Sequence, residues 1–278
     1  MKLMGVVVLY NPDGDVIYNI ETYIDHVEKL FVVDNSDNKK HQYQRDIQEL
    51  SDKIELIQLG ENLGIATALN LGVNRCIENG ASHALTMDQD SKFEKHGFYN
   101  YVKKIEQDLE ISQVGIYCTS VKYSNVVEYP KVAITSGNII SLESYQRVGG
   151  FEDKLFIDAV DYVYSFAVRT TGFKIKKFGD ILLIHKLGEP KIVKFFNGKT
   201  LKFNTHSAVR RYYMTRNSLY FWKKYFWNDP VFMSKKMFMF SRNLLEIIAV
   251  SDNKAENIKH LIKGVYHFMI GKYGKLEV

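Results

Sequence analysis

The feature that most constrains the fold is an alternation of short apolar runs and longer amphipathic stretches in the first 90 residues. Four runs rich in β-branched residues have the length of buried strands, at residues 6–10, 30–34, 54–59 and up to Leu85. Helix-like stretches separate these runs, at about 16–29, 42–51 and 62–78. Strands and helices at this spacing predict an α/β fold with a mainly parallel sheet covered on both faces.

The middle of the chain continues this alternation less regularly. We expect a helix near residues 95–109, strand-like runs at 114–121 and 132–140, and a capped helix that begins at Ser141.

Two carboxylates, Asp88 and Asp90, directly follow the fourth run. Side chains at positions i and i+2 of a strand share a face, so two acids just past a strand end can converge on one point. Carboxylates that close repel each other unless a cation lies between them. A hard divalent ion such as Mg²⁺ or Mn²⁺, shared with a bound phosphate, suits this arrangement. The alternative is a polar turn that ends the strand and binds no metal.

Polar side chains also follow the other three strand-like runs, namely Asn11, Asp34 and Asn62. In open parallel sheets, ligands bind at the carboxyl ends of the strands. Asp34 can accept a hydrogen bond from a base or a ribose, and the helix after Asn62 presents free N–H groups to an anion. The chain has neither a dinucleotide-binding glycine pattern nor a P-loop. The pattern therefore favours a nucleotide held by polar groups at strand ends.

A second pair of acids, Asp158 and Asp161, follows a Gly-Gly turn. If this segment is helical, the two side chains lie one turn apart on the same face. A carboxylate on a rigid element can act as a general base toward an alcohol. The alternative is an acidic pair that interacts favourably with the N-terminus of a helix and has no catalytic role.

Composition places the chain among ordinary globular proteins. It has 278 residues, of which 46% are hydrophobic and 25% charged, enough for one large domain with an appendage. Two cysteines, Cys76 and Cys118, do not form a disulfide framework and favour a reducing compartment. The first residues lack the pattern of a signal peptide, and no apolar stretch reaches the ~18 residues of a membrane span. We therefore expect a cytoplasmic location.

The charge is distributed unevenly along the chain. Residues 191–278 contain 17 basic and 5 acidic residues, a net charge of +12, whereas residues 1–190 carry a net charge of −7. The basic end also contains aromatic residues and two apolar stripes with helical spacing. We predict a first domain at residues 1–205 and a helical region at 206–278. That region suits the inner surface of an anionic membrane, or packing on the first domain or on a second subunit of a homodimer. No nucleic-acid-binding motif is present.

Several short motifs occur together in a fixed order over roughly residues 3–220. They are Leu9-Tyr10-Asn11-Pro12, Val32-Val33-Asp34-Asn35-Ser36, Asn62-Leu63-Gly64-Ile65-Ala66 with Asn70-Leu71-Gly72, Asp88-Gln89-Asp90-Ser91, Gly137-Asn138, Gly149-Gly150-Phe151, Phe156-Ile157-Asp158-Ala159-Val160-Asp161-Tyr162, Ile184-His185-Lys186-Leu187-Gly188 and Arg210-Arg211-Tyr212-Tyr213 with Arg216-Asn217. The ordered set resembles the inverting family 2 glycosyltransferases of the GT-A fold, and among them the rhamnosyltransferase-like enzymes of bacterial cell-surface polysaccharide synthesis.

The resemblance implies roles for individual residues on the donor side of a site. Asn11, Asp34 and Asn62 would line the nucleotide pocket. Asp88 would lie near the ribose and the metal, and Asp90 would bind the metal.

The remaining implied roles concern the leaving group and the acceptor. His185 would complete the metal or diphosphate site, unless it is a buried, hydrogen-bonded histidine. Arg210, Arg211 and Arg216 are candidates for contact with a diphosphate, unless they form a solvated basic face. The base would be Asp161, with Asp158 as the rival, because Val160 and Val163 stand where acids are frequent in the family.

The function implied by the resemblance is metal-dependent transfer of a sugar with inversion of the anomeric carbon. The donor would be a nucleotide-sugar, with dTDP-rhamnose favoured over a UDP-hexose. The acceptor would be a saccharide or a lipid-linked saccharide. Because Val160 replaces an acid, a non-catalytic scaffold subunit of the same fold is the alternative.

Overall fold

The computed structural model describes residues 1–37, 43–185, 191–194, 200–203, 206–250 and 253–277, and their side chains except at 191–194, 200–203 and 243–250. The chain divides into two compact units, Met1–Lys186 and Leu187–Val278. The predicted domain boundary after residue 205 adjoins residues 204–205, which lie outside the described part of the chain.

Four parallel strands form one half of the sheet in the first unit. They are β1 (Leu3–Leu9), β2 (Leu30–Asp34), β3 (Ile54–Gln58) and β4 (His83–Asp88). All residues of β1 and β2 are buried, as expected for strands covered on both faces. β1 lies between β2 and β4, and its last residues pair with Asp34 on one side and Asp88 on the other. The register therefore brings two of the predicted site acids to the same edge of the sheet.

The other half of the sheet is mixed. Its strands are β5 (Ser91–Phe93), β6 (Val114–Ser120), β7 (Val127–Glu128), β8 (Asn138–Ser141) and β9 (Lys174–His185). The order across the sheet is β3-β2-β1-β4-β8-β6-β9-β5, and β7 pairs with β9. β8 runs antiparallel to β4 and β6, and β5 and β7 run antiparallel to β9. The α/β fold class is confirmed, but parallel pairing is confined to β1–β4 and to β6 with β9.

Six α-helices accompany the strands in the described part of the first unit. They are α1 (Asp15–Glu21), α2 (Tyr43–Leu50), α3 (Ile65–Glu78), α4 (Gly97–Glu106), α5 (Leu142–Val148) and α6 (Val160–Thr170). α5 begins after Ser141, whose hydroxyl accepts from the Ser144 amide and forms the predicted cap.

Two elements end or begin elsewhere than predicted. The helix predicted to run to residue 29 ends at Glu21, because the Thr22 hydroxyl donates to the Asn19 carbonyl and accepts from the Phe93 amide. The strand predicted at 132–140 begins only at Asn138, whose side-chain nitrogen donates to the Ile134 carbonyl and closes a loop. Both corrections arise from side-chain contacts to the backbone, which apolar periodicity does not report.

The core of the first unit consists of aliphatic strand residues and aromatic residues from the flanking helices. Val7, Val32 and Leu85 are fully buried in it, together with Tyr101 and Phe98 of α4. Each such side chain contributes about 1.5–3 kcal/mol through burial.

The described residues of the second unit form three α-helices and a short hairpin. These elements are α7 (Ala208–Tyr225), α8 (Pro230–Val250), α9 (Lys254–Met269), β10 (Lys191–Lys194) and β11 (Thr200–Phe203). α7 and α9 pack closely, since a Cβ atom added to Gly264 would lie 2.8 Å from the Tyr212 carbonyl oxygen. Within the described ranges, every helix is too short or too polar to cross a lipid bilayer.

Candidate active site

Asp34 and Asn11 lie together at the carboxyl ends of β2 and β1. The Asp34 carboxylate is buried and accepts from the Ser36 amide and from Gln44 Nε2, both at 3.1 Å. The Ser36 hydroxyl accepts in turn from the Asn11 amide at 2.8 Å. Asn11 has a φ of 45°, in the left-handed region that Asn tolerates better than most residues. Two of the predicted nucleotide residues therefore belong to one hydrogen-bonded cluster.

Asn62 organises the loop that leads into α3. Its side-chain oxygen accepts from Asn35 Nδ2 at 3.1 Å and from the Gly64 amide at 2.9 Å. Asn35 also accepts from the Leu63 amide at 2.8 Å, so the two side chains interlock across the loop. This network fixes the backbone at the N-terminus of α3, next to the end of β2.

Asp88, Asp90 and His185 form the candidate metal centre. Asp88 is the last residue of β4, and His185 is the last residue of β9, where it pairs with Ser91. One ligand atom from each of the three residues lies within 4.8 Å of the others. His185 Nδ1 is 3.3 Å from Asp90 Oδ1 and 2.8 Å from the Ser91 hydroxyl. The antiparallel pairing of β5 with β9 thus joins a histidine to acids nearly 100 positions earlier in the chain.

The electrostatics of these three residues favour a bound cation. The pKa of Asp88 is raised to about 6, mainly by burial and also by the charge of Asp90, while His185 opposes the rise. The hydrogen bond to Asp90 raises the pKa of His185. A divalent ion would relieve the repulsion between the two carboxylates. Two carboxylates and one imidazole suit Mn²⁺ or Mg²⁺, whose remaining coordination positions phosphate and water would fill.

Asp161 is at the N-terminus of α6 and is half-buried. Its carboxylate accepts from the Tyr162 amide at 2.9 Å. Burial raises the pKa of Asp161 to about 6, and the charges of Asp158 and Asp88 contribute to the rise. A carboxyl group with this pKa is mostly ionised at neutral pH and remains a useful proton acceptor.

Asp158 does not share a helix with Asp161, contrary to the sequence prediction. Asp158 and Ala159 have φ values of 62° and 61°, and the helix begins only at Val160. Left-handed backbone at two successive residues places Asp158 in the turn before α6. The predicted one-turn spacing on a common helical face is therefore wrong. The charge of Asp158 nevertheless contributes to the raised pKa of Asp161.

Two sets of contacts connect the Asp161 region to the rest of the site. The Phe156 carbonyl accepts from the Ile65 amide at 2.8 Å, which attaches the turn before α6 to the N-terminus of α3. On the other side, the Ser136 hydroxyl accepts from the Asp88 amide at 3.0 Å. The same loop contacts α6, because the Ala133 amide donates to the Ser165 hydroxyl at 3.1 Å. These contacts link the turn before α6 and the end of β4 to common neighbours, and the charge of Asp88 acts on the Asp161 carboxyl group.

The predicted arginine contacts belong to the second unit. Arg216 is fully buried there and donates to the Tyr212 hydroxyl at 3.0 Å and to the Gly274 carbonyl at 2.9 Å. This environment indicates that Arg216 holds the C-terminal residues against α7 instead of contacting a diphosphate. Arg210 is exposed and Arg211 half-buried, and their predicted roles stay predictions. Lys186, Leu187 and Gly188 of the His185 motif lie outside the described residues.

Residues that support the site escaped the sequence analysis. Ser36, Asn35 and Ser136 each connect two loops of the site, and Gln89 contacts the loop after β1. Of these residues, Gln89 could have been identified from the sequence, since it lies between the two acids. The others are small polar residues of common types, and only the fold reveals which loop each one contacts.

The comparisons with known proteins agree with this geometry. The sequence model of the family described as Glycosyl transferase family 2 matches residues 8–160, which is more than half of the chain. The dTDP-rhamnosyl transferase RfbF of Shigella flexneri is 29% identical over 290 residues, covering 93% of this chain and 92% of that protein.

Two solved structures share the fold. The mannosyltransferase PcManGT from Pyrobaculum calidifontis, in complex with GDP-Man and Mn²⁺, superposes with a TM-score of 0.63 at 13% identity, covering 98% of this chain and 88% of that chain. GalNAc-T7 with UDP, GalNAc and Mn²⁺ gives a TM-score of 0.55 at 10% identity. This chain is covered to 66% in that match and spans 43% of GalNAc-T7. The fold, the site at the carboxyl ends of the strands and the family match together establish that the chain belongs to glycosyl transferase family 2 and is a glycosyltransferase.

Proposed function

We propose that the protein is a metal-dependent, inverting glycosyltransferase that moves a sugar from a nucleotide-sugar to a hydroxyl of a saccharide or lipid-linked acceptor in cell-surface polysaccharide synthesis. The observation that carries the proposal is the convergence of Asp88, Asp90 and His185 within 4.8 Å at the sheet edge that also bears Asp34. Asp161, whose pKa responds to the charge of Asp88, supplies a base on the same side.

The favoured donor is dTDP-rhamnose. The support is the 29% identity to a dTDP-rhamnosyl transferase over nearly the whole of both chains. A UDP-hexose is the runner-up, since a solved neighbour of the same fold contains UDP. Asn11 and Asp34 would receive the nucleoside, because they lie at the ends of adjacent strands and belong to one hydrogen-bonded loop cluster.

Asp88, Asp90 and His185 would hold the Mg²⁺ or Mn²⁺ ion. When bound, such an ion neutralises the negative charge that develops on the departing diphosphate. The Ser91 hydroxyl forms a hydrogen bond with His185 Nδ1, and this contact restrains the orientation of the ring.

The reaction requires a base for the acceptor hydroxyl. We assign this role to the Asp161 carboxylate, which takes the hydroxyl proton while the acceptor oxygen forms its bond to the anomeric carbon. Attack from the face opposite to the diphosphate breaks the bond to the leaving oxygen and inverts the configuration. Asp158 is the rival base.

The alternative function is a non-catalytic scaffold subunit of the same fold. It is retained because Val160 stands where an acid is frequent in the family. Two variants separate the proposals. Asp90→Ala and Asp161→Asn should each lower sugar transfer by ~10³-fold or more, with thermal unfolding unchanged within a few degrees. Asp52→Asn, in an exposed turn, is the matched control. Transfer at the wild-type rate by both variants would contradict the assignment.

Titration with dTDP or UDP, with and without Mn²⁺, tests the scaffold directly. The enzyme should bind a nucleoside diphosphate more tightly with the metal present, and a scaffold should show no metal-dependent binding. Hydrolysis of a small panel of nucleotide-sugars would then identify the donor.

We also propose that α9 contacts an anionic membrane surface. Ile258, Ile262, Val265 and Met269 recur at helical spacing and are between 39% and 68% exposed. Lys254, Lys259 and Lys263 flank this stripe, whereas Gly264 on another face packs against α7. An apolar stripe between lysines suits the headgroup region of an anionic bilayer.

Vesicle flotation tests this contact. The protein should bind phosphatidylglycerol vesicles and not phosphatidylcholine vesicles, and Ile262→Asp with Met269→Asp should abolish the binding while transfer to a soluble acceptor continues. Equal binding by the wild type and the double variant would contradict the assignment to α9.

A further inference from the structure

Gln89, between Asp88 and Asp90, connects two halves of the candidate donor site. One half is the loop after β1, which includes Asn11, and the other is the pair of acids. Its side-chain oxygen accepts from the Tyr10 amide at 2.7 Å, and its side-chain nitrogen donates to the Tyr10 carbonyl at 3.1 Å. Only one orientation of the Gln89 amide satisfies both contacts, because the Tyr10 backbone offers one donor and one acceptor.

These two bonds extend the sheet beyond the end of its strands. Val8 and Asp88 are the last paired residues of β1 and β4. Past this point the Gln89 side chain replaces the missing backbone partner, since a primary amide presents the same donor and acceptor as a peptide group. The loop that begins at Tyr10 and continues to Asn11 is thereby attached to the acids on either side of Gln89.

Gln89 is itself held from the opposite direction. Asn19 of α1 is buried, and its side-chain nitrogen donates to the Gln89 carbonyl at 2.8 Å. The loop after β1 is fixed on its other side, where the Asn11 amide donates to Ser36. Hydrogen bonds and adjacent positions in the chain therefore connect the Asp34 cluster, through Tyr10 and Gln89, to the Asp88 and Asp90 pair.

We propose that Gln89 is a positioning residue that sets the spacing between the nucleoside-binding loop and the metal-binding acids. This inference rests on the proposed function. A nucleoside diphosphate spans both halves, so its affinity depends on their relative position, whereas the metal alone depends only on the acids. The Tyr10 backbone is near the surface and water can replace the Gln89 amide, so the fold survives the loss of these bonds.

The test compares a ligand that spans both halves with a ligand that occupies one. Gln89→Met retains most of the side-chain volume without the amide, and Gln89→Ala removes both. Titration calorimetry should show that each variant binds Mn²⁺ within about twofold of the wild type, but binds dTDP in the presence of Mn²⁺ about tenfold more weakly. Gln146→Met, at an exposed position of α5, is the matched control and should change neither affinity.

Three results would overturn the inference. The first is wild-type affinity for dTDP in both Gln89 variants. The second is an equal loss of Mn²⁺ and dTDP affinity, which would mean that Gln89 acts on the acids alone. The third is loss of the cooperative thermal transition in both variants, which would make the role structural. If the wild type itself binds neither dTDP nor UDP, the proposed function fails and this inference fails with it.

Discussion

At the scale of single residues, the protonation state of Asp161 controls the proposed chemistry. Burial is the largest cause that raises its pKa to about 6, and the negative charges of Asp158 and Asp88 add to it. The base must be ionised to accept a proton, so activity is present above this pKa and lost below it. A cation held by Asp88 would offset part of the rise and move the acidic midpoint to lower pH.

We therefore expect kcat to fall as the pH decreases through about 6, with a single ionisation on the acidic side. Asp158→Asn removes one neighbouring negative charge, so the midpoint should move to lower pH while turnover at pH 8 persists. The measurement is a pH–rate profile for the wild type, Asp158→Asn and the control Asp52→Asn. If Asp158→Asn abolishes turnover at every pH and Asp161→Asn does not, the rival base is the correct one.

The sequence predicted the position of the candidate metal ligands Asp88 and Asp90 in the fold better than it predicted the surroundings of Arg216. Asp88 and Asp90 adjoin a strand, and strand direction alone brings them to the ligand edge with Asp34. The turn at Asp158 could not be predicted, because left-handed backbone at a non-glycine residue depends on contacts such as that between Phe156 and Ile65. A basic motif likewise does not reveal that Arg216 is buried among its own helical neighbours.

At the scale of elements, the N-terminus of α3 and the turn before α6 are in close contact at Gly64. Gly64 has a φ of 90° and a ψ of 158°, a region that is nearly restricted to glycine. A Cβ atom there would lie 2.6 Å from the Phe156 carbonyl oxygen, a backbone atom that cannot move independently. The loop of Asn62 and the turn of Asp158 therefore depend on the absence of a side chain.

Gly64→Ala should destabilise the protein by about 2 kcal/mol or more through backbone strain and displacement of Phe156. It should also lower kcat, since the displaced turn leads directly into α6 and Asp161. Gly149→Ala is the matched control, because Gly149 has a φ of 82° but nothing lies within 4 Å of an added Cβ atom. We expect it to cost about 1 kcal/mol with little change in kcat. Urea unfolding and steady-state rates measure both effects, and equal losses in the two variants would contradict the role of the Phe156 contact.

Element boundaries depended on local polar contacts more than on periodicity. The long α3 was predicted to its last residue, because its apolar face faces the sheet over nearly four turns. The short α1 ends where Thr22 contacts β5, a strand of three residues that no pattern predicted. In the mixed half of the sheet, the predicted runs at 114–121 and 132–140 correspond to β6 and, at the end of the second run, to β8. The antiparallel pairing and the short strand β7 were not predicted, since so short a strand gives little periodic signal.

At the scale of the whole molecule, the first unit is assembled from contacts between distant parts of the sequence. The candidate site alone draws residues from positions 11 to 185, which lie at or just beyond the ends of β1, β2, β3, β4 and β9 and at the start of α6. A ligand that contacts these residues together connects segments that separate on unfolding. Binding of the donor nucleotide is therefore expected to stabilise the folded chain, and not only to order one loop.

We expect Mn²⁺ with dTDP to raise the thermal unfolding midpoint, with a gain of about 2.7 kcal/mol when the nucleotide is at 100 times its Kd. Neither ligand alone should give the full effect, because the metal would connect the Asp88 and Asp90 pair to the diphosphate. In Asp90→Ala the added stability should largely disappear, while the midpoint without ligand stays near that of the wild type, since the repulsion of Asp88 and the attraction to His185 are removed together. Differential scanning calorimetry of both proteins, with EDTA and with Mn²⁺, measures each quantity. A ligand-induced shift of equal size in the wild type and in Asp90→Ala would place the diphosphate away from this pair of acids.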